Sequence, residues 1–280
     1  MARDAARPRP TALDAALYTA WLIAPILAAA GVILYVFPSH TARLWAWPIS
    51  SQLTASVIGG GYLGGAVFFA RAASTGRWES LRLAVVGASV LSAMLLIATI
   101  VHWDKFTHDN LSFWSWTLLY CLAPLWLPFL FVTNERDARA RAALSPRPQG
   151  TNLPVVVRRM AGAVGMAQMT LALVMFVRPT ALVNRWPWPL TPLTARTLSA
   201  FLAFIAVLWL AFFVEGRWSA LRLPVQCASI GLVLVGIAAG RRHQELVGST
   251  ATKVAFAVLL IGTVVAFSAV EATMARPRPH

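Results

Sequence analysis

Apolar residues in this chain form continuous runs rather than alternating positions or a single helical stripe, and each run has the length, about 17 to 25 residues, that a helix needs to cross a ~30 Å hydrocarbon core. The first half supplies Ala16 to Phe37, Leu53 to Arg71, Leu81 to Val101 and Leu111 to Val132; the second supplies Met160 to Val177, Leu193 to Val214, Leu221 to Gly240 and Thr252 to Val270. Hydrocarbon offers no water to an open backbone, so every run is predicted to be helical. The intervals are short except Thr133 to Arg159, which is charged and contains Pro146, Pro148 and Gly150. The predicted organisation is a tail over 1–15, a four-helix membrane repeat over 16–132, a linker over 133–159, a second four-helix membrane repeat over 160–270 and a tail over 271–280. The fold class is an all-α integral membrane protein with eight transmembrane helices in two parallel four-helix repeats.

Arg3, Arg7 and Arg9, then apolar residues, then Ala28-Ala29-Ala30 resemble a secretory signal with its cleavage site. Internal repetition argues against cleavage. Val36, Pro38, Trp45, Trp47 and Pro48 recur at a constant offset as Val177, Pro179, Trp186, Trp188 and Pro189. After a one-residue gap near Ser51, Leu53-Thr54-Ala55 recurs as Leu193-Thr194-Ala195, Gly76-Arg77-Trp78 as Gly216-Arg217-Trp218, Leu81-Arg82-Leu83 as Leu221-Arg222-Leu223, and Ala88-Ser89 as Ala228-Ser229. The first run therefore has a counterpart in mid-chain, where no signal can lie. Such a match marks a duplication.

Composition supports a lipid environment: 58% of residues are hydrophobic and 12% charged, against about 25% charged in soluble domains. The formal charge of +14 does not indicate nucleic acid, because the arginines sit in short clusters between apolar runs, as in loops facing anionic lipid. Most of the 24 basic residues fall on the amino terminus, the even-numbered loops and the carboxyl terminus. Both termini are accordingly expected in the cytoplasm of a bacterial plasma membrane. An even number of spans per half then gives both halves one orientation. Cys121 and Cys227 lie inside apolar runs without partners, so neither a disulfide framework nor a CxxC site is available.

The repeated motifs have a simple reading. Trp45 and Trp47, with Trp186 and Trp188, precede helices in the outward loops, and Trp78 and Trp218 lie at the inward turns; all six are expected as interface anchors. Arg77 and Arg217 beside them are candidate contacts for lipid headgroups, with Glu79 and Glu215 near enough for ordinary ion pairing.

The string Trp186-Pro187-Trp188-Pro189-Leu190-Thr191-Pro192-Leu193-Thr194-Ala195-Arg196, with His102-Trp103-Asp104-Lys105-Phe106, resembles a group of uncharacterised bacterial, actinobacterial-type multi-pass membrane proteins. The resemblance implies a fold type and no activity. The first copy has Ser56 where the second has Arg196, so any role of that arginine belongs to one half.

The densest polar group is His102, Asp104, His108 and Asp109, with Lys105 and Asn110, in the loop between the third and fourth runs. Imidazole and carboxylate suit a divalent metal or a proton relay, although His108 would have to fold back before three ligands could converge. The alternative is a wet interfacial loop. The second half carries Arg241-Arg242-His243-Gln244-Glu245 there. Arg196, beside the start of an apolar run, either snorkels to water or coordinates an anion inside the bundle. Gly60, Gly61, Gly64 and Gly65 stand at GxxxG spacing, a helix-packing face or the wall of a groove. Pro124 and Pro128 are expected to bend the fourth helix.

No phosphate loop, dinucleotide fingerprint or haem-binding His pair is present, and no cofactor is predicted. Charged residues deep in the spans, the mark of ion-coupled transport, are absent. These features favour a lipid-associated binding or structural component, alone, as a homo-oligomer or within a membrane complex, over an enzyme. A transporter or channel for a small apolar or amphipathic solute ranks second, and predicts a cavity between the halves lined by the glycine face. A membrane enzyme using the His102 to Asp109 cluster ranks third.

Overall fold

A computed structural model describes residues 11–144 and 151–275. Arg3, Arg7 and Arg9, Pro146, Pro148 and Gly150, and the carboxyl-terminal tail from residue 276 lie outside the described residues. The described chain is helical, with eight helices long and apolar enough to cross a membrane. They are α1 (Ala12–Val36), α2 (Gln52–Thr75), α3 (Trp78–Val101), α4 (Leu111–Leu144), α5 (Val155–Val177), α6 (Pro192–Val214), α7 (Trp218–Arg241) and α8 (Thr250–Ala275). The protein is a multi-pass membrane protein.

Local chemistry sets the helix ends. Ser51 and Thr191 cap α2 and α6, their hydroxyls accepting from Thr54 N and Thr194 N at 3.0 and 3.2 Å. Gly76 (φ 63°) and Gly216 (φ 64°) close α2 and α6 in the left-handed conformation that glycine adopts without steric cost. Arg77 and Arg217 then open α3 and α7. The largest departure from expectation is that α4 continues to Leu144, through Pro124 and Pro128 and a dozen residues into the segment read as linker; α5 also starts inside that segment, and α1 and α8 reach into the segments read as tails. Thr133 and Asn134 return hydrogen bonds to Leu130 O, and Asn134 also reaches Ala12 O at 3.0 Å, so this extension is tied to α1.

Helix packing crosses between the halves. Each of α2 and α6 lies along the first helix of its own half, α1 or α5, and along the third helix of the other: α2 on α7, and α6 on α3. By contrast α2 barely touches α3, to which the Gly76 turn joins it, and α6 barely touches α7. The molecule is thus a shared four-helix core of α2, α3, α6 and α7 with α1, α4, α5 and α8 around it, not two self-contained bundles side by side. The cause lies in the glycines. A Cβ added at Gly64 would come within 3.0 Å of Cys227 O and 3.1 Å of Gly231 Cα, and one at Gly60 within 3.3 Å of Gly231 O, so the α2 and α7 backbones meet where side chains are missing. On the other crossing the benzyl ring of Phe204 covers Gly87 of α3, at 2.9 Å from where a Cβ would stand. The outer helices present a belt of exposed apolar side chains, among them Leu118, Leu125, Val258 and Ile261.

Candidate functional site

Two places bring together the residues that could bind something: the core between the halves, and the end of the bundle where the two Trp-x-Trp-Pro segments meet the α2 and α6 amino termini.

The core holds a cavity of ≈640 Å³ that is partly open to the surroundings. Gly61, Gly64 and Gly65 of α2 line it with Phe201 and Phe204 of α6 and Gly231 of α7, and the remaining wall is overwhelmingly apolar. Its polar groups are few. The Tyr62 and Tyr120 hydroxyls pair at 2.7 Å, and the Gln168 amide donates to Leu202 O at 3.0 Å. Protein interiors leave few voids larger than a water molecule, whereas pockets for organic ligands measure about 300–1,000 Å³. Ala88 and Ala228, equivalent in the two halves, both face this space.

At the Trp-x-Trp-Pro end the tryptophans are not headgroup anchors. Trp47 and Trp188 are each 2% exposed, and Trp45 is buried too. Trp45 and Trp47 pack edge to face on Trp116, at 5.7 and 4.9 Å between ring centroids, and Trp188 packs on Phe256 at 5.0 Å. The loops fold back over the core, so the rings fill it instead of projecting outward; Trp186 alone is half-exposed. Trp78 and Trp218 at the opposite end are likewise buried.

The His102, Asp104, His108 and Asp109 group does not converge. Among the described residues no three His, Cys, Asp or Glu side chains come together as metal ligands. The short 3₁₀ turn Trp103–Lys105 turns Asp104 outward, 68% exposed, onto Lys105 Nζ at 2.7 Å, and that bond holds its carboxyl below the ordinary value. His108 packs against Trp103 and Phe113, with ring centroids 5.1 and 4.8 Å away, and Asp109 is exposed. His102 faces the other way, to Arg196.

Arg196 neither snorkels nor stands free. Its Nε donates to Phe176 O at 3.0 Å, at the end of α5, and its Nη1 donates to His102 Nε2. The histidine acceptor must be neutral. Burial, then the Arg196 guanidinium, push the His102 imidazole below its ordinary value, with Asp104 opposing. Arg196 thereby ties α6 to the carboxyl ends of α5 and α3.

The Gly-Arg-Trp end carries an ion-pair network in which Arg77 and Arg217 are only the rim. Arg77 meets Glu79 at 3.1 Å, and Arg217 meets Glu215 and, at 3.6 Å, Glu79. At the centre Arg82 Nη1 lies 2.8 Å from Glu215, and its Nε lies 3.1 Å from Glu135 without the alignment of a hydrogen bond. The Trp78 indole donates to Glu135 at 2.9 Å. Glu135 belongs to the extension of α4, so the pairing of Arg82 was hidden with that extension.

Comparison with known proteins finds no matching family model, no matching curated protein and no matching solved structure.

Proposed function

We propose that the protein is a binding component of a bacterial plasma membrane which holds an apolar or amphipathic, lipid-like molecule between its two halves. The ≈640 Å³ cavity carries this reading. Water gains little in a space with so few hydrogen-bonding groups, whereas an acyl chain or compact hydrophobe matches the walls and the Tyr62–Tyr120 pair offers one polar contact. Lipid is both solvent and ligand in this reading. The two halves have one orientation and both termini are cytoplasmic, as the distribution of arginine supports.

The test is gentle extraction followed by native mass spectrometry, comparing the wild type with Ala88→Phe/Ala228→Phe. The wild type is expected to retain a non-covalent apolar ligand, and the variant to lose at least about nine-tenths of it while keeping its helicity. A wild type that carries nothing, and takes up no photoreactive fatty acyl probe, overturns the proposal.

The reciprocal packing of α2 on α7 and α6 on α3 around the cavity favours a second reading, transport of the same class of molecule by movement of one half against the other. Transfer of a fluorescent acyl probe across proteoliposomes distinguishes it from static binding.

A further inference from the structure

The core cavity is walled differently on its two flanks. In the first half α1 and α4 pack on each other and close it. Their cavity-lining residues Leu27, Tyr120 and Ala123 are buried. Hydrogen bonds latch this flank along its length: Ser112 Oγ donates to Leu44 O at 2.7 Å, the Trp126 indole to Thr19 Oγ1 at 3.0 Å, and the Asn134 amide to Ala12 O at 3.0 Å.

In the second half the matching helices, α5 and α8, barely touch. Val164 and Ala167 of α5 and Ala255 and Leu259 of α8 line the cavity and are nevertheless exposed, so the cavity opens sideways between them. Gly248 N–H donates to Pro187 O at 2.9 Å and holds the second Trp-x-Trp-Pro segment as a roof over one end. Below that roof the α8 wall runs from Thr252 to Thr263, about 17 Å of helix and so half of the ~30 Å hydrocarbon core. The opening therefore faces the acyl chains of one leaflet. Arg185 adjoins the roof. It is the one charged side chain among the described residues of the cavity wall. It is exposed, and no carboxylate among the described residues pairs with it. The repeat puts Leu44 at the equivalent position, so this charge belongs to the open flank alone.

We propose that the gap between α5 and α8 is a side entrance through which a single-chain anionic amphiphile of the fatty-acid class passes from that leaflet into the cavity, its chain against the apolar walls and its acid group on Arg185. This inference rests on the cavity reading and adds the charge and the route of the ligand. One guanidinium at the end of an otherwise apolar wall matches one acid group, which it can bind through two parallel hydrogen bonds. A neutral hydrophobe leaves that cation without a counter-charge, and a small free acid has nothing to set against the walls. The cavity volume of ≈640 Å³ lies within the range of about 300–1,000 Å³ for one compact ligand, which favours one chain over the two of a phospholipid.

The experiment is photolabelling of the full chain in liposomes with a diazirine-bearing fatty acid, the matching fatty alcohol and a diazirine-bearing phosphatidylglycerol, followed by peptide mapping. The acid is expected to label the cavity-lining Leu171 and Leu260 at least about fivefold more than the alcohol does. Arg185→Gln is expected to abolish most of that preference and Arg185→Lys to retain it; the residue is exposed, so neither change disturbs the fold. Ala167→Trp/Ala255→Trp, at exposed positions beside the gap, is expected to slow labelling at least about fivefold, whereas Leu22→Trp/Leu122→Trp, exposed on the closed flank, leaves the rate unchanged. No label in the cavity from any probe overturns the cavity reading and this proposal with it. Cavity label that does not distinguish acid from alcohol, is unchanged in Arg185→Gln, comes preferentially from the phospholipid or proceeds at one rate in both tryptophan pairs overturns this proposal while the cavity reading stands.

Discussion

The two crossings at the centre of the molecule, α2 on α7 and α6 on α3, occupy equivalent places in the two halves but are built from opposite materials. In the first, Gly60 and Gly64 meet Gly231 with backbone against backbone; in the second, Phe204 stands where the repeat has Gly64 and lays its ring over Gly87. The ends differ in the same manner: Glu245 bonds the amino terminus of α2, whereas Lys105, its counterpart beside α6, pairs with Asp104. The matching halves share an apolar skeleton and differ in what touches it. Differences between otherwise matching halves therefore locate the groups with individual roles.

The comparison breaks most sharply at Gly64. Gly64→Leu forces a side chain into Cys227 O and Gly231 Cα, backbone atoms that cannot rotate away, and is expected to cost about 3 kcal/mol or more. The measurement is the fraction of monodisperse protein recovered from membranes, and Phe204→Leu, at the equivalent position, is expected to leave it nearly unchanged.

Next in size is the ion-pair network. Arg82→Ala leaves Glu215 with Arg217 alone and Glu135 with only the Trp78 indole, and is expected to lower stability by about 2 kcal/mol, less than a fully buried pair because water reaches this end. Its counterpart Arg222 is exposed, so Arg222→Ala is expected to change thermal unfolding by less than about 0.5 kcal/mol. Equal effects would show that the two positions are not differentiated.

A smaller effect is expected at the helix termini. Glu245→Ala removes the acceptor of Leu53 N–H and Ser51 Oγ, a loss of about 1 kcal/mol in thermal unfolding. Lys105→Ala at the equivalent place is expected to be nearly neutral, since the Lys105 ammonium is exposed and only pairs with its neighbour Asp104.

Smallest is a pH effect. His102 is held neutral in the folded protein below its ordinary value, so the unfolded chain binds the proton more readily. Stability is expected to be level above the ordinary imidazole range and to fall as pH drops through it toward the folded value. In Arg196→Ala the His102 ring titration, followed by NMR, is expected to move up because the guanidinium beside it is gone.

The eight spans were legible because lipid imposes one demand, an unbroken apolar run, which a single sequence displays. Packing was not, because a run that is apolar all round does not say which helix lies against which side. Gly60 and Gly64 announced a close approach, and only the structure gives α7 as the neighbour. Arg196 could be singled out by its departure from Ser56, yet its partners Phe176 O and His102 come from other helices. The tryptophans misled because a ring at the end of an apolar run suits a membrane interface and a folded-back loop equally well. The exchange of Lys105 for Glu245 was visible in the repeat, but acquires meaning only when Glu245 is seen at a helix amino terminus.

The crossed packing also constrains biogenesis. Synthesis releases α1 to α4 before α6 and α7 exist, so α2 enters the bilayer with its glycine face uncovered and the Leu53 N–H still waiting for Glu245. A first half produced alone is expected to be degraded, and to be rescued by the second half supplied as a separate chain. Assembly is a closing step that the last spans perform on the first.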